Sequence, residues 1–163
     1  MRNTEAALKW IVGILDKKDI PYQISGGFAA KIYGSERKLN DIDIDIPETN
    51  FDDILSDIKE YLIYGPDNYV DGKWNIKLMT VNYHGQEIDI AGAFEGYVSN
   101  KNRTAWLKIK TDFENARDIK IDSLMVKVIH PPLLIEYKQH LDGNHQMEDI
   151  QAVQKFMEKV KET

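Results

Sequence analysis

The run Asp41-Ile42-Asp43-Ile44-Asp45-Ile46 constrains the fold more than any other stretch of this chain. Its apolar residues recur at every second position, the period of a β-strand rather than a helix. Side chains two apart share one face of a strand. The three isoleucines therefore form one face and the three aspartates the other. The isoleucine face needs only to be buried. The aspartate face needs a reason, because aspartate is a poor strand former and closely spaced carboxylates raise each other's pKa. One reading is a solvated outer face on an edge strand. The other is a divalent-cation site, since a cation would cancel the repulsion. Mg2+ takes hard oxygen ligands, commonly one or two carboxylates together with substrate phosphates. Paired ions can hold the attacking and leaving oxygens of an in-line phosphoryl displacement. A second alternating stretch, Glu87-Ile88-Asp89-Ile90, offers Asp89 or Glu87 from a neighbouring strand.

Upstream, Ser25-Gly26-Gly27 is expected to form a tight turn between a strand at 22–25 and a short helix at 28–33 that Gly34 stops. Glycines there let the backbone approach a phosphate, and a helix start supplies N–H groups. A plain turn is the alternative. Helical spacing of Leu8, Ile11, Val12 and Leu15 predicts a helix over 4–18. Asn50 is a plausible cap, with Asp53 three residues on, for a helix reaching about Tyr61. A variable loop is expected through Gly65, Pro66, Asn68, Asp71 and Gly72, and another variable stretch at 92–118. Between them, strands at 74–83 and 86–91 flank His84-Gly85 as a β-hairpin. A strand at 124–129 follows. Pro131-Pro132 opens a helix holding Leu133, Leu134, Tyr137 and Leu141, and Asp142-Gly143-Asn144 breaks it. A last helix carries Ile150, Val153, Met157 and Val160. These elements predict an α/β (α+β) fold, a mixed sheet flanked by helices with helices at the C-terminus.

With 163 residues, the chain has room for one domain. We expect that domain to span 1–163, with a sheet core over about 1–122 and a closing strand and helical tail over about 123–163. Its 21 basic and 27 acidic side chains leave a net charge of −6, against bulk DNA binding through a basic face. The absence of cysteine excludes disulfide frameworks and thiolate nucleophiles and fits a cytoplasmic location. No apolar run approaches the roughly 20 residues that span a bilayer, and the start Met1-Arg2-Asn3-Thr4-Glu5 is unlike a signal peptide. The four histidines lack ligand spacing, so His84, His140 and His145 are expected in solvated turns. Lys77 is expected to face water. Tyr69, Trp74, Tyr83, Phe94, Tyr97 and Trp106 are expected mostly in the core, with stacking on a base or planar acceptor as the alternative.

Taken together, Ile24-Ser25-Gly26-Gly27, Arg37, Asp41-Ile42-Asp43-Ile44 and Ile88-Asp89-Ile90 resemble the DNA polymerase β-type nucleotidyltransferase superfamily. Thirteen residues separate Gly27 from Asp41, and pairing Asp43 with Asp45 stretches that gap to fifteen, so the resemblance favours Asp41 and Asp43 as the metal pair. The stretch 26–47 is similar to small antibiotic nucleotidyltransferases, among them lincosamide-modifying members, and to toxin–antitoxin and phage-abortive proteins of this fold. Lys138 sits where small members carry a helix lysine that meets the triphosphate, and Glu148-Asp149-Ile150 resembles an acidic turn before their last helix. Leu39 departs from the threonine or histidine that many relatives have.

The resemblance implies Mg2+, or Mn2+ in its place, and a nucleoside triphosphate, ATP first, as donor. Asp41, Asp43 and Asp89 would be the catalytic and metal-binding carboxylates, with Glu87 as runner-up to Asp89. Ser25, Gly26, Gly27, Arg37 and Lys138 would bind the nucleotide. The acceptor, a small molecule such as an antibiotic, an RNA end or a protein, is left open. So is a second copy or partner protein. A non-catalytic binding module, or a toxin–antitoxin type protein acting on RNA or a partner, is the competing reading.

Overall fold

The isoleucine face of the Asp-Ile run organises the molecule. A computed structural model describes residues 3–161, so Met1 and Arg2 of the polar start lie outside the described residues. In chain order the elements are α1 (Thr4–Lys17), β1 (Gln23–Ser25), α2 (Gly26–Ile32), β2 (Asp41–Ile46), α3 (Phe51–Ile58), β3 (Leu62–Val70), β4 (Trp74–Tyr83), β5 (Gln86–Gly92), β6 (Tyr97–Ser99), β7 (Trp106–Lys108), β8 (Arg117–Ile121), β9 (Leu124–Val128), α4 (Pro131–Lys138) and α5 (His145–Lys161). The strands form one mixed sheet in the order β7-β6-β4-β5-β2-β1-β9-β8, with β3 added against β4. The fold is the expected mixed sheet with flanking and C-terminal helices.

β2 is an interior strand, antiparallel to β1 on one side and parallel to β5 on the other. That removes the edge-strand reading of the aspartates. Ile42, Ile44 and Ile46 are fully buried in one core with Ile24, Met79, Val81, Ile88 and Ile90 from neighbouring strands. Leu8, Ile11 and Leu15 of α1 and Phe51, Ile54 and Ile58 of α3 complete that core. Each such side chain contributes about 1.5–3 kcal/mol on burial, so the register that buries the isoleucines is strongly fixed.

Local chemistry explains the ends. Asn3 caps α1 by accepting the Ala6 N–H at 3.0 Å. His84 and Gly85 both adopt positive φ in the hairpin between β4 and β5, the geometry that a two-residue loop between twisted strands prefers.

Several expectations need correction. Gly26 and Gly27 open α2 itself rather than a separate turn. Asn50 stands at the N-cap position of α3 as expected, but its side chain makes no cap bond and donates to Asp53 at 2.8 Å; α3 ends at Ile58, with a short 3-10 turn over Lys59–Tyr61. The expected loop at 65–72 is mostly strand β3. Register shifts between Leu62 and Tyr64 and between Tyr64 and Asp67 hide its alternation from the sequence. The stretch 92–118 holds β6, β7 and the start of β8; the first two have only three residues each and leave little periodicity to read. α4 stops at Lys138, so Leu141 lies beyond it, though still buried.

Candidate functional site

Register decides which polar side chains meet. The parallel β2–β5 pairing sets Asp43 opposite Asp89, Asp41 opposite Glu87 and Asp45 opposite Ala91. β4 sets Thr80 opposite Asp89, and β1 sets Ser25 opposite Asp43 and Gln23 opposite Asp45. Because the side-chain period is two, all of these share the face opposite the isoleucines. One carboxylate oxygen from each of Asp41, Asp43 and Asp89 lies within 4.8 Å of the others. Among the described residues this is the one group of three ligand-type side chains so placed. Glu87 is exposed and outside the group.

The electrostatics follow from that crowding. Burial raises the Asp43 carboxyl well above its ordinary value, and the charges of Asp89, Asp41 and Asp45 raise it further. Burial also raises Asp89, against a lowering hydrogen bond from Thr80 Oγ1 at 2.6 Å. Asp45 is pushed up to about 6 by burial, partly offset by hydrogen bonds from Gln23, at 2.8 Å, and Ser25. Three hard oxygen donors this close, each costly to ionise together, fit a divalent cation of the Mg2+ type.

Gly26 touches this group directly. Its φ is +60°, and a Cβ there would collide with the Asp43 carboxylate. Only glycine gives both the left-handed backbone and the space. At Gly27 a Cβ would meet the tips of Arg37 and Leu39, so the Leu39 departure places an aliphatic side chain over the start of α2.

The two expected nucleotide-side cations converge on a carboxylate. Arg37 Nη2 donates to Asp149 Oδ2 at 2.7 Å and its Nε to Oδ1 at 3.2 Å. Lys138 Nζ lies 2.9 Å from the same Oδ2 and donates to Gln146 Oε1 at 2.9 Å. Ser35 Oγ donates to Oδ1 at 2.7 Å. Burial alone would raise the Asp149 pKa, but the hydrogen bonds from Arg37, Ser35 and Lys138 outweigh it and hold the group at about 2. Asp149 thus stands inside α5, not in an acidic turn before it.

The acidic triad, Arg37 and Lys138 line one cavity of about 700 Å3 with Ser25, Gly26 and Gly27. An aromatic and aliphatic wall of the same cavity is formed by Tyr64 and Tyr69 of β3, Trp74, Ile76 and Leu78 of β4, Ile109 and Tyr137. Trp74 Nε1 donates to the Tyr137 hydroxyl at 2.8 Å and ties the β4 end of the wall to α4. Of the six aromatics expected mostly in the core, Tyr69 and Trp74 instead line the cavity, the alternative reading. Tyr83 instead stacks on Trp10 at 4.3 Å, and Phe94 meets Phe113 edge-on. Tyr97 and Trp106 are exposed. Lys77 lies half-buried over the Phe51 ring at 5.0 Å, on the core side rather than in water.

The sequence reading missed Tyr64 and Tyr137 as cavity residues and missed the role of Asp149. It also missed Glu48, whose carboxylate accepts the Phe94 and Glu95 N–H groups and orders the bend after β5.

No protein-family model matches the sequence, and no curated protein matches it at a significant level. Solved structures do match. TM1012 of Thermotoga maritima, a nucleotidyltransferase candidate, superposes with a TM-score of 0.66 at 14% identity, over 97% of this chain and 96% of that one. The lincosamide antibiotic adenylyltransferase LnuA, bound to lincomycin, gives 0.63 at 12% identity, over 96% of this chain and 99% of its own. ANT(2'')-Ia in complex with adenylyl-2''-tobramycin gives 0.63 at 14% identity, over 96% and 91%. No helix among the described residues is long and apolar enough to cross a membrane. The chain has the fold of these nucleotidyltransferases along nearly its whole length, and its acidic triad lies on the central strands of that fold.

Proposed function

We propose that this protein is a metal-dependent nucleotidyltransferase, moving a nucleoside monophosphate from a nucleoside triphosphate, ATP first, to an acceptor hydroxyl. One observation carries the reading: Asp41, Asp43 and Asp89 converge within 4.8 Å on the wall of a cavity. Asp41 and Asp43 would hold Mg2+, or Mn2+ in its place. When bound, the ion supplies positive charge against the phosphate oxygens of the donor.

The chain's own residues do the rest. Ser25, Gly26 and Gly27 line the same cavity and would bind the triphosphate. Arg37 and Lys138 set positive charge on the same wall. In the reaction the acceptor oxygen bonds to the α-phosphorus, and the bond from that phosphorus to the pyrophosphate oxygen breaks. The acceptor proton passes to Asp89, which stands on the cavity wall beside Asp41 and Asp43. Thr80 fixes the Asp89 carboxylate for that step. The aromatic and aliphatic wall favours an acceptor of small-molecule size with an apolar or planar face over an RNA end or a protein. A cytoplasmic site of action, with its supply of triphosphate and Mg2+, completes the reading.

Incubation with labelled ATP, Mg2+ and a panel of hydroxylated small molecules tests it. Transfer should fall about 10²–10³-fold in Asp41→Asn and Asp43→Asn. A wild-type protein that shows no Mg2+-dependent binding of any nucleoside triphosphate by calorimetry would sink the proposal.

A further inference from the structure

Asp149 is a buried carboxylate on a helix far along the chain from the acidic run, and the reaction just described does not use it. It is fully buried, and Lys138 is 2% exposed. Its two oxygens receive four donors from three residues in two parts of the chain: Ser35, Arg37 twice, and Lys138. Arg37 and Lys138 both line the cavity that holds the acidic triad.

A buried ammonium needs a paired negative charge beside it; without one its side chain turns out to water. Gln146, the other partner of Lys138, is neutral and cannot supply that charge. Arg37 keeps its proton regardless, but its long side chain needs a fixed partner to hold one orientation. The Nε and Nη2 contacts to Asp149 leave Nη1 without a contact to that carboxylate, and the Lys138 ammonium has a third N–H beyond its two partners.

We propose that Asp149 is a positioning residue for the phosphate subsite: it holds Lys138 in its buried place and fixes Arg37, so that both present a spare donor to the polyphosphate of the nucleotide. The inference rests on the nucleotidyltransferase reading above. It makes α5, which carries no residue of the acidic triad, part of nucleotide recognition. Competition is the opposite expectation. A carboxylate beside two cations also weakens their attraction for an anion, so its removal would tighten binding if orientation did not matter.

The test uses Mg2+ with inorganic tripolyphosphate, which reads the phosphate subsite independently of the base, and Mg2+ with ATP in parallel. Dissociation constants are measured by calorimetry well below the melting temperature of each variant. In Asp149→Asn, both constants should rise about tenfold or more, since a lost charge-assisted contact is worth that much. Ser35→Ala removes one donor to the carboxylate and leaves its charge, and should weaken binding about two- to fivefold. Unchanged or tighter binding in a folded Asp149→Asn protein overturns the inference and leaves the nucleotidyltransferase reading intact. If Asp149→Asn does not fold, unchanged binding in Ser35→Ala overturns it. A wild type that binds neither probe overturns both readings.

Discussion

Two groups of acid in this molecule, one half-buried and one fully buried, have opposite chemistry. On the strands, Asp41, Asp43 and Asp89 face one another, and for Asp43 and Asp89 burial and mutual repulsion push the pKa up. On α5, Asp149 is buried more completely yet held at about 2, because Arg37, Ser35 and Lys138 donate to it. The lesson is that burial alone does not mark a functional carboxylate. The strand group is left short of positive charge and calls for a cation. The helix group is internally satisfied and calls for none.

Substitutions should separate the two regions by sign. Asp149→Asn strands a buried ammonium and should cost about 3–5 kcal/mol of stability, measured by urea unfolding at pH 7. Asp43→Asn should do the reverse in metal-free buffer. Removing one of several crowded charges should raise stability by of order 2 kcal/mol and abolish the Mg2+-dependent rise in melting temperature expected of the wild type. If both substitutions destabilise equally, the contrast between the regions is lost.

The two glycines test the same contrast at smaller scale. Gly26→Ala forces a side chain into positive φ and into the Asp43 carboxylate, and should cost about 1–3 kcal/mol together with most of the activity. Gly27→Ala meets only the flexible tips of Arg37 and Leu39 and should cost clearly less. Paired thermal melts with transfer assays would rank them.

The pH profile gives the smallest and most graded effect. Asp43, Asp45 and Asp89 bind protons more tightly folded than unfolded, with Asp45 near 6 against an ordinary 3.8. Metal-free stability should therefore rise as pH falls from 7 through 6. Asp149, depressed to about 2, contributes stability that is complete above 3.8 and is lost as pH falls toward 2. The melting temperature should peak between about pH 4 and 6, a few degrees above its value at pH 7.5. Saturating Mg2+ should flatten the neutral side of that curve. A metal-free optimum above pH 7 would contradict the strand group's assignment.

Much of the strand region was legible because its signal is local. The alternation in Asp41–Ile46 fixes both faces of β2 at once, and the His84-Gly85 turn fixes the hairpin that brings β5 alongside. Strands that lack such a signal stayed hidden. β3 is interrupted by Gly65 and register shifts, and β6 and β7 are three residues each, too short to show a period. Tyr64 was lost with β3, since its place on the cavity wall depends on that strand's pairing with β4.

By itself, then, the sequence determined which face of β2 is apolar, which glycines precede it, and that carboxylates crowd one surface. These follow from the two-residue period of a strand and from the few conformations open to each residue type. Tertiary structure alone decided that Asp89 rather than Glu87 joins Asp41 and Asp43, because the β2–β5 register is a long-range pairing in which a two-residue slip would put Glu87 opposite Asp43 in place of Asp89. It alone made Arg37 and Lys138 share Asp149. That meeting needs α2, α4 and α5 packed together, and nothing in the local chemistry of any one of them announces it.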